Sequence, residues 1–267
     1  MQISLLNGQP GTFPPDHRAL SYGDGLFETL LIQGDSACFL DEHLARMSKG
    51  AKQLALNWTE PDEQGLRNQL QALMKGLMEP HVLKLMLLRS APGRGYAYDP
   101  DAQHTDLVIQ IQPYEAPGWA GKGIATRLAT TPVSVNPHLA GLKHCNRLDS
   151  VLARAEYPRS EFPELIMADP DGSVIQGTMS NLLVRKNNQW CTPVLNHAGV
   201  HGIVRQRLLA LGMLIEQPLR VSDLEQADAL AICNSLLGVV PVKSFNQCSL
   251  EPHPEVLSMK QELGFLW

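Results

Sequence analysis

The stretch HLAGLKHCNRLDSV, residues 138–151, concentrates side chains that can do chemistry. Lys143 follows the apolar Leu139, Ala140 and Leu142 and opens a polar cluster of His144, Asn146 and Arg147, which only Asp149 balances within the segment. A lysine is most often a solvated surface charge. An apolar approach favours its neutral form, because burial penalises the ammonium ion. A neutral amine attacks carbonyl carbons and takes up protons. Surface charge, phosphate ligand and nucleophile are therefore the three roles open at this position.

A second stretch, GVHGIVRQRL at 199–208, places Gly202 immediately before a helical pattern. The free N–H groups and the dipole at such a helix start suit a dianion. A glycine ahead of a helix is by itself an ordinary beginning. ICNSLLG, at 232–238, adds the Ser235 hydroxyl at the end of a strand. Arg46 lies off the apolar stripe of its helix and is able to turn toward a site. A lysine, a phosphate cradle and a partner for a ring nitrogen are together what pyridoxal phosphate requires.

These residues need elements to hold them. LFETLLI at 26–32, VLKLMLL at 82–88, DLVIQIQ at 106–112, IATRLAT at 124–130, ELIMAD at 164–169 and ALAICN at 229–234 read as strands. Asp171-Gly172 and Asn187-Asn188 mark hairpins, the second between NLLVR and QWC. Asp41 is a plausible N-cap for a helix with Leu44, Met47, Ala51 and Leu54 on one stripe, and further helices are expected at 63–78 and 146–156 and after Gly202, with Gly212 as the stop. Helices and strands mix without strict alternation, which predicts an α+β (mixed α/β) fold and not a doubly wound parallel sheet. Pro113 and Pro117-Gly118 suggest a linker at 114–117 between a smaller N-terminal domain, 1–113, and a larger C-terminal one, 118–267.

The chain of 267 residues is long for one domain and short for three, and its 44% hydrophobic content is enough for a real core. A formal charge of −5 without a basic block argues against a nucleic-acid partner. The five cysteines, at 38, 145, 191, 233 and 248, form no CxxC pair and no metal spacing with histidine. No metal is expected, and the scattered thiols indicate a reducing compartment, the cytoplasm. No signal peptide is expected from MQISLLNGQPGTF. The most apolar later stretch, 229–242, is interrupted by Asn234, Ser235, Gly238 and Pro241 and is too short for a membrane span.

SYGDGLFET, HLARM, LAGLKHCNRLDSVLARAE, QGTMSNLLV and GVHGIVRQ occur in the order found in the fold-type IV pyridoxal phosphate enzymes. The chain resembles that family, which includes branched-chain and D-amino acid aminotransferases and aminodeoxychorismate lyases, from about residue 7 to 242. The resemblance implies that Lys143 holds the cofactor pyridoxal 5'-phosphate. It implies further that Arg46, the Ser235 hydroxyl and the N–H groups of Ile203 and Val204 bind the cofactor phosphate. Arg94 and Tyr96 match a loop that in relatives reaches the neighbouring subunit's site, so a homodimer with shared sites is implied, with Arg94 as an anchor for a substrate carboxylate. Tyr22 and His138 are pocket candidates or simple packing residues. The contact to the cofactor's phenolic oxygen stays open between Asn146 and Arg147.

One position departs from the family pattern. Gln176 stands where a glutamate usually pairs with the pyridine nitrogen. A neutral amide only hydrogen-bonds to that nitrogen, which weakens the ring as an electron sink and troubles transamination more than an elimination driven by aromatisation. NPHLAGLKHCNRL and GRGY (93–96) look most like the lyases, which implies conversion of 4-amino-4-deoxychorismate to 4-aminobenzoate and pyruvate, a step feeding folate synthesis. The alternative is an aminotransferase on the same scaffold, a reading that Glu28 in LFETLL favours. A third is a protein that carries the cofactor without turnover.

Overall fold

The computed structural model describes residues 2–265; Met1 and residues 266–267, the outer ends of the two expected domains, lie outside the described residues. The chain divides into two compact units, Met1–Glu115 with Leu142–Asn146, and Ala116–Gly141 with Arg147–Trp267. The Lys143 segment thus belongs to the first unit although it follows the 114–117 linker in sequence.

The first unit contains β1 (Ile3–Leu6), α1 (Arg18–Tyr22), β2 (Gly25–Gln33), β3 (Ser36–Ala37), α2 (Leu40–Gln53), α3 (Glu60–Met74), β4 (His81–Ser90) and β5 (His104–Pro113). Its sheet runs β1-β5-β4-β2-β3 and every pairing in it is antiparallel. Leu26, Leu30 and Ile32 of β2 and Leu83, Leu85 and Leu87 of β4 are buried, the period of two that a sheet with a covered face demands. The α2 helix covers β2, since a Cβ at Gly50 would meet Leu26 Cδ1 at 2.8 Å.

Three helix boundaries differ from the expectation, the helix expected at 146–156 being the shorter Leu148–Arg154. Asp41 is not the N-cap of α2. Phe39 occupies that place in a left-handed conformation without a side-chain cap, and Asp41 pairs with Arg67 of α3 at 2.5 Å. The helix expected at 63–78 runs from Glu60 to Met74. Thr59 N–H donates to Asp62 Oδ2 at 2.8 Å, a capping interaction that starts the helix a turn earlier than its apolar residues suggest.

The second unit contains β6 (Ile124–Leu128), α4 (Leu148–Arg154), β7 (Glu164–Ala168), β8 (Val174–Gly177), β9 (Asn181–Lys186), β10 (Gln189–Pro193), α5 (Ile203–Ala210), β11 (Ile215–Gln217), α6 (Val221–Glu225), β12 (Ala229–Asn234), β13 (Gly238–Phe245), β14 (Cys248–Ser249) and α7 (Glu255–Glu262). Its main sheet runs β11-β10-β9-β12-β13-β6-β7-β8, with β14 on β13. Parallel pairs (β10–β11, β13–β6, β6–β7) mix with antiparallel hairpins. One face packs Leu182, Val184, Ile232, Val240 and Val242 into a core; the other packs Leu165, Met167 and Ile175 against Leu195 and Ala198. The mixed α/β class is as the sequence indicates. Among the described residues no helix is long and apolar enough to cross a membrane, and no group of three or more His, Cys, Asp or Glu is placed to hold a metal ion.

Candidate active site

The first unit brings a lysine beside a buried charge cluster. β2 turns Leu26, Glu28 and Leu30 toward α2, so a carboxylate sits in an otherwise apolar interface. Such a burial is tolerable only with partners. The α2 helix supplies them three residues apart, on one face: His43 Nδ1 lies 2.6 Å from Glu28 Oε2, Arg46 Nε donates to Oε1 at 2.8 Å, and Arg46 Nη2 donates to Oε2. Burial alone would raise the Glu28 pKa. The Arg46 charge and the hydrogen bonds from His43 and Arg46 outweigh it and bring the value down to about 2. His43 is pushed down, chiefly by burial and further by the positive charges of Arg46 and Lys143, against the pull of Glu28.

Lys143 reaches this place because residues 143–145 pair with the start of β2. Phe27 N–H donates to Lys143 C=O at 2.9 Å, Cys145 N–H donates to Gly25 C=O at 3.0 Å, and Leu26 and His144 form an antiparallel bridge. The half-buried Lys143 carries its Nζ 4.3 Å from the Phe27 ring centroid. The charges of both Lys143 and Arg46 act on His43. Of the two candidates at the phenolic oxygen, Asn146 donates from Nδ2 to Gly23 C=O at 3.2 Å, and Arg147 is the N-cap residue of α4.

Tyr22, Arg94 and Tyr96 gather elsewhere in the same unit, at α1. The Tyr22 and Tyr96 rings are 5.2 Å apart, and Gly95 N–H donates to the Tyr22 hydroxyl at 3.1 Å. Arg94 is exposed.

In the second unit Gln176, Ser235 and the start of α5 collect at one end of the sheet. Gln176, on β8, is buried, and its Oε1 accepts Val200 N–H at 2.9 Å. Asn181 Nδ2 donates to Val200 C=O at 2.9 Å, so two side chains hold the backbone of one residue, Val200. Gly141 fastens the same loop, donating its N–H to Gly199 C=O at 2.9 Å and accepting His201 N–H at 3.1 Å. The loop ends at Gly202, where any Cβ would lie 2.0 Å from Asn181 Oδ1. Glycine is required there by contact, and no side chain caps α5, whose first-turn N–H groups at Ile203 and Val204 have no partner within the helix. Ser235 is half-buried in the turn after β12. Asn234 shapes that turn through Oδ1, which accepts Leu236 N–H at 3.0 Å and Leu237 N–H at 2.9 Å. Register links the two places, since Cys233 pairs with Asn181. His138 is exposed, its N–H donating to Asn136 Oδ1 at 3.0 Å.

An uncapped helix start, a hydroxyl and a guanidinium are the donors a phosphate takes, and a half-buried lysine amine suits a carbonyl. By its chemistry, each of these groups in its own unit is of a kind that pyridoxal phosphate takes.

The sequence reading missed several contributors. Glu164 is buried and accepts the Thr178 N–H at 2.9 Å, the Met179 N–H at 3.1 Å and the Ser180 hydroxyl at 2.7 Å, which shapes the turn between Gln176 and Asn181. Arg205 is fully buried and donates to Pro193 C=O at 2.8 Å, which anchors α5. His43 was legible as a helix neighbour of Arg46; Glu164 carried no such signal.

The amino-transferase class IV family model matches residues 25–245. The chain is 31% identical to an aminodeoxychorismate lyase of Vibrio harveyi over 252 residues, 90% of each chain. It is 27% identical to a D-alanine aminotransferase of Bacillus licheniformis over 86% of this chain and 82% of that one. The solved structure of 4-amino-4-deoxychorismate lyase from Pseudomonas aeruginosa superposes with a TM-score of 0.88 at 31% identity, covering 98% of both chains.

Proposed function

The chain belongs to the amino-transferase class IV family and has the fold of its fold-type IV members, and from that premise we propose that it is a pyridoxal 5'-phosphate-dependent lyase converting 4-amino-4-deoxychorismate to 4-aminobenzoate and pyruvate. Lys143 is the covalent anchor of the cofactor. Arg46, Ser235 and the N–H groups of Ile203 and Val204 bind its phosphate, and Gln176 faces its ring nitrogen. When bound, the cofactor supplies an electron sink conjugated to the substrate nitrogen. The Lys143 amine would remove the proton from the ring carbon bearing that nitrogen. The bond from the ring to the enolpyruvyl oxygen breaks, the ring becomes aromatic, and the proton finishes on the methyl group of pyruvate. One amine serves both proton steps. Arg94 holds a substrate carboxylate, and Tyr96, Tyr22 and His138 are the further candidates for substrate contact.

The observation that carries the lyase reading is Gln176. It is a neutral amide, and its Oε1 already accepts Val200 N–H at 2.9 Å. Without a carboxylate's charge it sustains a protonated pyridine poorly, so a reaction drawn forward by aromatisation is favoured over transamination. The match over nine-tenths of a lyase chain supports the same choice. Transamination is the second reading, favoured by the likeness to a D-alanine aminotransferase. We further propose a cytoplasmic homodimer. All five cysteines are free thiols, and α4 exposes Leu148, Val151 and Leu152 on one face.

Purified protein reconstituted with pyridoxal phosphate and given aminodeoxychorismate should release 4-aminobenzoate and pyruvate in equal amounts, and Lys143→Ala should abolish both. Cofactor-loaded protein that releases neither, but passes an amino group to a keto acid, would establish the transaminase instead.

A further inference from the structure

Residues 91–99 form no helix or strand, yet one buried side chain organises the backbone of their centre. Arg18, on α1, is 6% exposed. Its Nη1 donates to Gly95 C=O at 3.0 Å and Ala97 C=O at 3.4 Å, and its Nη2 donates to Tyr96 C=O at 3.0 Å. Its Nε donates to Asp24 Oδ2 at 3.0 Å. Three successive carbonyls turned toward one cation is not a relaxed coil. Arg94 is flanked by Gly93 and Gly95 at φ of 98° and 84°, a region open mainly to glycine, and these let the chain make the turn.

The pin is itself fixed. Asp24 also accepts Arg89 Nε at 3.0 Å, and the Arg89 guanidinium lies 3.9 Å from the Tyr98 ring centroid. Arg18 stands 5.1 Å from the Tyr22 ring and 5.7 Å from the Tyr98 ring. The backbone of residues 95–97 is therefore tied down, whereas the side chains of Arg94 and Tyr96 face outward, Tyr96 being 85% exposed. A loop that needed only to close would not require a buried guanidinium. A loop that must present a side chain at a defined place and angle does, because binding costs less when the binding group is already ordered.

We infer that Arg18 is a positioning residue: it holds the 93–97 loop so that Arg94 meets the substrate carboxylate pre-ordered. The inference rests on the proposed lyase reading for the role of Arg94, whereas the pinning of the loop stands independently of it.

Arg18→Lys keeps the charge beside Asp24, but a single ammonium cannot span three carbonyls. Three readings are made on cofactor-loaded protein: thermal midpoint with cofactor absorption, the rate of trypsin cleavage after Arg94, and steady-state kinetics on aminodeoxychorismate. With the midpoint and absorption unchanged, cleavage after Arg94 should quicken and KM should rise about tenfold with kcat within about twofold, the pattern of lost ground-state binding. Arg18→Ala should show a larger KM rise, and Arg18→Lys combined with Arg94→Ala should be no worse than Arg94→Ala alone. An unchanged cleavage rate in Arg18→Lys, an equal fall in kcat, or additive KM effects would overturn the inference. If cleavage quickens while Arg94→Ala leaves KM untouched, the failure lies in the carboxylate role of Arg94, and the positioning role falls with it although the pin is real.

Discussion

At the residue scale, Glu28 shows how much one buried charge can organise. Its carboxylate holds Arg46 by two donors and His43 by one, so the orientation of a proposed phosphate ligand is set from behind. Removing one member of such a buried pair typically costs ~3 kcal/mol or more, because the remaining charge stays desolvated. Glu28→Gln should therefore lower the urea midpoint with an unchanged slope, and should also weaken cofactor binding measured by absorbance titration. The pH dependence has a definite sign. The folded pKa, about 2, lies below the ordinary 4.5, so the contribution is complete above the ordinary value and is lost as pH falls toward the folded one. The stability gap between wild type and Glu28→Gln should narrow through that acid window. A gap that stays constant with pH would show that the carboxylate acts through shape alone. In the sequence this residue is legible as an acid inside LFETLLI that favours the aminotransferase reading, and nothing there marks it as an ion-pair partner. Its partners became visible once β2 turned the Leu26 and Glu28 face toward α2.

At the element scale, the α5 start depends on what is absent from Gly202. A Cβ there would sit 2.0 Å from Asn181 Oδ1, in the amide whose Nδ2 donates to Val200 C=O. Gly202→Ala must move either Asn181 or the first turn of α5. If Ile203 and Val204 bind a phosphate, losing one charge-assisted bond of roughly 1.5–3 kcal/mol should weaken pyridoxal phosphate binding by at least about tenfold. Equilibrium titration of the apoprotein would measure it, and an unchanged affinity would remove α5 from the phosphate site. Elements with strict alternation or strong turn residues were readable in advance, as in β2, β4, β5 and the β9–β10 hairpin. At that hairpin Asn187 and Asn188 both take positive φ, 52° and 62°. β13 was hidden by Pro241, which demotes a strand on paper. It is tolerated because Pro241 faces Ala231 of β12, whereas pairing with β6 begins only at Val242. The five-residue α1, which carries Arg18, is too short to leave a periodic signal. The Arg18 pin was illegible for that reason and because its acceptors are backbone carbonyls, which no side-chain pattern announces.

At the scale of the whole molecule, the proposed dimer decides whose Arg94 serves which lysine. An exposed, pinned loop and an exposed apolar face on α4 both suit a second copy of this chain, and a two-fold dimer would place each loop against its partner. If the loop serves the neighbouring subunit, a Lys143→Ala protomer still donates a good loop, and an Arg94→Ala protomer still offers a good lysine. Mixing the two variants under subunit exchange should then rebuild one intact site in each mixed dimer. With random exchange about a quarter of all sites would be intact, read as recovered turnover at substrate concentrations well below KM. If each loop served its own subunit, every site in the mixed dimer would lack either its lysine or its arginine, and turnover would stay at the sum of the two variants. Native mass spectrometry of the same mixture, which resolves the mixed dimer by the mass difference between the variants, separates this outcome from failure to exchange, and a protein that sediments as a monomer at working concentration would remove the shared site altogether.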